Sequence, residues 1–137
     1  MAAAIAPLLI ALASFVLRLV NLGSTKGYIF DEVYYVDGAR DLLKYGVEVS
    51  GSNPEFIVHP PVGKWLIGGG IAIFGDNEFG WRFATALIGT LLILVFARLI
   101  HVLFYSPLLT GLGAALMALD GLLLVHSRTA LLDLFLT

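Results

Sequence analysis

The sequence has no cysteine, which excludes disulfides, thiolate metal sites and cysteine nucleophiles and leaves the redox compartment unreadable. Charge is scarce as well. Asp, Glu, Lys and Arg make up 13% of the chain, against roughly 25% in an ordinary soluble domain. The net charge is only −2, and no run of Lys or Arg offers a path for a phosphate backbone. Nucleic acid is therefore excluded as a partner. Nor does any Lys or Arg precede the first apolar run, as a cleaved secretory leader would require. What the chain does have is apolar mass: 59% hydrophobic residues and a mean hydropathy of +0.94. That composition belongs to an integral membrane protein or a piece of one.

Long apolar runs and their punctuation give the organisation. A first span is expected over about 2–20, uncleaved, with Arg18 snorkelling toward the interface. A polar external loop follows over about 21–78. Within it, Val33, Val36, Ala39 and Leu43 share one face of an amphipathic helix ended by Gly46. Tyr34, Tyr35 and Tyr45 suit the headgroup level. Residues 47–58 read as irregular or extended, with turn signals at Gly51-Ser52-Asn53-Pro54. Pro61 opens a helix to about Phe74, too short to span and therefore interfacial or re-entrant, with Trp65 in the aromatic belt. A second span is expected over about 79–103, capped by Asp76 or Asn77, and a third over about 107–125, opened by Pro107. Gly111 to Ala115 reads as a close helix contact. Residues 129–137 read as the start of a fourth span, so the chain is expected to be the N-terminal part of a longer polytopic protein and inactive by itself. Arg98 and His101 mark the second turn as cytoplasmic, which puts the 21–78 loop and His126-Ser127-Arg128 together on the external side.

The ionisable residues of that side are the candidates for chemistry. Asp31 can cap the Val33–Lys44 helix, and a carboxylate at a helix N-terminus can also accept a proton from a hydroxyl nucleophile. Glu32 can orient an acceptor or face water. His59-Pro60-Pro61 makes a stiff extended arm that holds His59 at the membrane surface, either as a solvated loop residue or facing a substrate. Lys64 reads as a snorkelling lysine by default, with a phosphate as the alternative partner. Arg128 can grip a phosphate in bidentate fashion or simply end a span. Arg82, Asp120 and Asp133 are supporting candidates, because carboxylates inside apolar stretches are costly and usually paired. Arg82 could pair with Asp120, and Asp133 with Arg128 or Thr129. One Asp-Glu pair is too few ligands to demand a metal, though a divalent cation could supplement the cationic side chains.

In order along nearly the whole chain, several motifs recur: Phe30-Asp31-Glu32-Val33-Tyr34-Tyr35, Val58-His59-Pro60-Pro61-Val62-Gly63-Lys64, Gly80-Trp81-Arg82, Asp120-Gly121, and Ser127-Arg128-Thr129-Ala130-Leu131-Leu132-Asp133. Together they resemble the protein O-mannosyltransferase family, glycosyltransferases of the C-type fold. The run Tyr35-Val36-Asp37-Gly38-Ala39-Arg40 resembles the bacterial, actinobacterial branch. The resemblance implies an all-α polytopic bundle whose first external loop carries interfacial helices. It implies a polyprenyl-phosphate-mannose donor, a secreted or membrane protein as acceptor, the lipid bilayer as surroundings and contact with secretion machinery. Asp31 would be the catalytic base, Glu32 its active-site partner, and Arg128 an activity-determining residue on the same external face of a bacterial cytoplasmic membrane. His59 and Lys64 match an external-loop motif, and their substrate-binding role is inferred. Two alternatives remain: the same architecture acting on a lipid or glycolipid acceptor, and an ion-coupled transporter using Asp120, Arg128 and Asp133 as a relay.

Overall fold

The computed structural model describes residues 2–50, 53–54 and 59–136. Gly51, Ser52, Val58 and Thr137, which figure in the expectations above, lie outside the described residues. Six helices carry the fold: α1 Ala2–Leu19, α2 Glu32–Tyr45, α3 Pro61–Phe74, α4 Glu78–Phe104, α5 Pro107–Leu119 and α6 Gly121–His126. Two short strands, β1 Val49–Ser50 and β2 Asn53–Pro54, pair antiparallel between α2 and α3. A 3-10 turn, Asp133–Leu136, ends the described chain.

The helix ends follow local chemistry. Gly46 closes α2 in the left-handed conformation (φ 75°), and its N–H bonds the Leu42 carbonyl. Pro61 starts α3, where a missing N–H costs nothing. Asn77, and not Asp76, caps α4: its Oδ1 accepts the N–H groups of Phe79 and Gly80, each at 3.1 Å. Ser106 and Pro107 open α5 after Tyr105 ends α4.

Two expected spans come out differently. The continuous helix over 107–125 is broken at Asp120, whose backbone is extended and whose Oδ1 accepts the Leu123 N–H at 2.7 Å. That capping bond, with glycine next in sequence, competes successfully with helix continuation. Instead of a fourth helix, residues 127–130 form turns and the chain folds back onto the bundle. Leu132 and Leu134 become buried there. Gly63 leaves the space, since a Cβ on it would lie 2.5 Å from Leu132 Cδ2.

Two apolar clusters hold the elements. In one, Val36 and Ala39 of α2 meet Ile67 and Ile71 of α3, Trp81 of α4, and Ala130 and Leu132. In the other, Ala11 of α1 packs with Ile93 and Ala97 of α4, Ala114 and Ala118 of α5, and Leu123 of α6. Close approach needs glycine at two crossings. A Cβ on Gly70 would fall 2.2 Å from the Gly80 carbonyl oxygen, and one on Gly89 would fall 2.4 Å from Ser127 Cβ.

Among the described residues α4 is the one helix long and apolar enough to cross a membrane; the apolar stretches of α1, α3 and α5 are shorter. The outward faces of α1, α4 and α5 display Leu9, Leu12, Val16, Val95, Leu99, Leu108, Leu112 and Leu116, each half exposed or more. Continuous apolar faces of that size need an apolar surrounding.

Candidate active site

The loop between α1 and α2 is organised by one buried side chain. Glu32, at 0% exposure, uses both oxygens twice. Its Oε1 accepts from Arg82 Nε at 2.8 Å and from the Ala130 N–H at 2.7 Å. Its Oε2 accepts from Arg82 Nη2 at 2.8 Å and from the Ile29 N–H at 2.8 Å. Arg82 also donates to the Leu22, Thr25 and Gly27 carbonyls. A bidentate pair with every remaining donor occupied is the form in which buried charge is tolerated. Arg82 therefore pairs with Glu32, not with Asp120 as the sequence suggested. Proximity in the fold, which spacing cannot express, decides the choice.

This hub sets the position of Asp31. The Ile29–Glu32 turn is closed from both sides: the Glu32 N–H bonds the Ile29 carbonyl while the Glu32 carboxylate takes the Ile29 N–H. Within it Phe30 has φ 54° and is 80% exposed. A left-handed backbone at a non-glycine residue is held only by surrounding structure. Asp31 stands at the N-cap position, yet its side chain makes no capping bond. The capping expected of it is absent, since its backbone is not in the extended conformation that capping requires.

The half-buried Asp31 instead lines a cavity of about 640 Å³ with Tyr34, Tyr35, Asp37, Arg40, Asp41, Glu48, His59 and Lys64. Tyr35 is buried, and its ring meets His59 edge-on with centroids 5.4 Å apart. Burial raises the Tyr35 pKa above the usual phenol value, and the Asp31 and Asp133 carboxylates raise it further. The Tyr35 hydroxyl thus stays protonated as a hydrogen-bond donor beside two carboxylates. Asp133 is exposed on the 3-10 turn and reaches the site electrostatically. Across the outer side of α2, Arg40 joins Asp76 through two bonds of 2.8 and 2.9 Å, and also Asp37 and Tyr28. The bond from Arg40, with help from Trp81, holds the Asp76 carboxyl below the usual range.

Lys64 does not snorkel. It is 4% exposed and forms an ion pair with Glu48, a residue to which the sequence drew no attention. The two are sixteen positions apart, in a segment with no helical or strand periodicity to relate them. Arg18 is likewise fully buried and not interfacial: it bonds Ser14 and, through Nε at 2.8 Å, the Ser127 hydroxyl.

Arg128 lies outside the cavity lining. Its guanidinium donates to the Leu17, Arg18 and Val20 carbonyls at 2.9, 3.2 and 2.9 Å, capping α1. The Glu32–Ala130 bond, two residues along, places Arg128 and Asp31 at the same end of the bundle. Asp120 is spent on the α6 cap and is exposed, not buried in an apolar stretch. Among the described residues no hydrogen bond or ion pair joins Asp120, Arg128 and Asp133, so the relay a transporter would use is not assembled. Nor do three or more His, Asp or Glu side chains among the described residues converge as a metal site would require.

Known sequences add to this geometry. The family model described as dolichyl-phosphate-mannose–protein mannosyltransferase matches residues 58–137. A polyprenol-phosphate-mannose–protein mannosyltransferase of Mycobacterium tuberculosis is 45% identical over 135 residues, covering 94% of this chain and 25% of that protein. The proteins of the same description from Mycolicibacterium smegmatis and Corynebacterium glutamicum are 40% and 36% identical, covering 97% and 93% of this chain and 26% of each relative. The chain thus spans about a quarter of the length of the curated relatives it matches. No solved structure matches it significantly. The match over more than half of the chain, in a helical molecule with outward apolar faces, means that this chain belongs to the dolichyl-phosphate-mannose–protein mannosyltransferase family.

Proposed function

We propose that the chain is part of a multi-pass membrane glycosyltransferase of the C-type fold. The enzyme moves mannose from polyprenyl monophosphate mannose to Ser or Thr hydroxyls of a secreted or membrane protein, at the external face of a bacterial cytoplasmic membrane. The observation that carries this reading is Asp31: a carboxylate free of capping duty, held by the Glu32–Arg82 hub and facing a cavity at the end of the bundle. The names of the relatives supply the donor and the kind of acceptor.

In this mechanism the acceptor hydroxyl attacks the anomeric carbon of mannose. Asp31 takes the hydroxyl proton as the new C–O bond forms. The bond to the phosphate oxygen breaks, its electron pair leaves with the polyprenyl phosphate, and the anomeric configuration inverts. The departing anion needs positive charge in place beforehand. Arg128 and Arg18 supply it: both sit at the end of α1, and their hydrogen-bond partners are neutral hydroxyls and carbonyls. Lys64, engaged with Glu48, serves the cavity wall, and His59 forms the opposite wall beside Tyr35. Glu32 acts by positioning, since all its acceptor capacity is taken.

The test uses the full-length enzyme in membranes, with peptide and lipid acceptors side by side. Asp31→Asn should insert normally and lose mannose transfer to peptide by about 10²–10⁴-fold, the usual worth of a general base. Undiminished transfer by that variant, or transfer to the lipid acceptor alone, would refute the proposal.

A further inference from the structure

Glu48 is left unexplained by this mechanism. It lines the same cavity at 6% exposure. One oxygen, Oε2, is held by Lys64, while Oε1 is buried with no hydrogen-bond partner. A buried carboxylate oxygen left unmatched is costly and calls for an explanation. The surrounding structure fixes it firmly. Gly38 of α2 lies over the pair, where a Cβ would come within 2.9 Å of Glu48 Oε2 and 3.2 Å of Lys64 Nζ. The next residue, Val49, donates its N–H to Asp41 Oδ2 at 3.2 Å, tying the strand to α2. An immobile acceptor atom facing a cavity is built to receive a donor proton.

Resting on the glycosyl-transfer reading above, we propose that Glu48 reads the sugar: its Oε1 accepts a hydrogen bond from a hydroxyl of the hexosyl group being transferred. A Ser or Thr acceptor carries one hydroxyl, and that proton is committed to Asp31. The second carboxylate must therefore meet a different hydroxyl, and the transferred hexose carries several. The walls suit a polyhydroxylated ring: Tyr34, Tyr35 and His59 present ring faces and edges, and Asp31, Asp41 and Glu48 present acceptors. Lys64 keeps Glu48 in one rotamer, which makes the lysine a positioning residue.

The experiment compares polyprenyl phosphate mannose with donors in which each sugar hydroxyl in turn is replaced by hydrogen, using the full-length enzyme in membranes. With the wild-type protein, one deoxy donor should lose roughly 10- to 100-fold in kcat/KM, the worth of a hydrogen bond to a charged group. Glu48→Gln should be slower with the natural donor and show a much smaller further loss with that same deoxy donor. Because one unpaired lysine could unfold the site, a second variant, Glu48→Leu with Lys64→Met, removes both charges together. It should insert, transfer weakly, and no longer distinguish the two donors. Retention of the wild-type deoxy-donor profile by either variant overturns the assignment, as does a loss that follows positive charge on the acceptor peptide instead. If the wild-type enzyme transfers no mannose from the natural donor, the underlying reading fails as well.

Discussion

Asp31 and Glu32 are adjacent carboxylates whose surroundings give them opposite tasks. Glu32 is wholly buried and accepts four hydrogen bonds; Asp31 faces a cavity with no cap to make. Replacing Glu32 by Ala strands the Arg82 charge and two backbone N–H groups, which should cost about 3–5 kcal/mol. The expected outcome is a protein that loses its folded fraction in a detergent thermal-shift assay, in contrast to a normally folded Asp31→Asn. Equal melting of Glu32→Ala and wild type would contradict the hub. The sequence marked both residues by motif and resemblance, but it could not divide their labour. The partners of Glu32 lie 50 and 98 positions away, so only folding brings them together. Glu48 escaped notice for the same reason, with nothing local to separate it from a solvated loop glutamate.

Among the elements, α2 is fastened on two sides. Its inner face buries Val36 completely against Ile67 of α3, each such side chain contributing about 1.5–3 kcal/mol. Its outer face is tied by Arg40 to Asp76 at the α3–α4 turn, with Arg40 also over the Trp81 ring at 5.3 Å. Asp76 is about half exposed, so the tie is worth at most about 1 kcal/mol. Its sign with pH is definite. Arg40 lowers the folded-state pKa of Asp76 below 3.8, so the contribution is complete above that value and is lost as pH falls through the lower folded value. The stability difference between wild type and Asp76→Asn should stay constant from neutral pH down to that point and shrink below it, as read by chemical denaturation. A gap that widens on acidification would refute the tie. The ends of α2, α3 and α4 were legible because glycine, proline and asparagine act locally. The break at Asp120 was not, since an uninterrupted apolar run masked a capping carboxylate of the kind that ends helices elsewhere.

For the molecule as a whole, the outward Leu and Val faces of α1, α4 and α5 decide the surroundings. The full-length protein should remain in the membrane pellet through high salt and alkaline carbonate, and leave it only in detergent. Release by carbonate would count against a spanning topology. Composition made the apolar character legible, and α4 follows directly from it. How the helices close around the loop was not legible, because buried arginines such as Arg18 and Arg82 look the same in sequence as interfacial ones. The hydrogen-bond partners of each are supplied by distant segments.

The bond between the Glu32 carboxylate and the Ala130 N–H spans 98 positions of chain, which gives the protein's biogenesis an order. A ribosome delivers Glu32 well before Ala130, so the outer segment must wait with one acceptor unfilled while the intervening helices enter the membrane. Catalytic competence therefore matures late, and a nascent polypeptide halted before α6 would display Asp31 on a scaffold still lacking its last fastening.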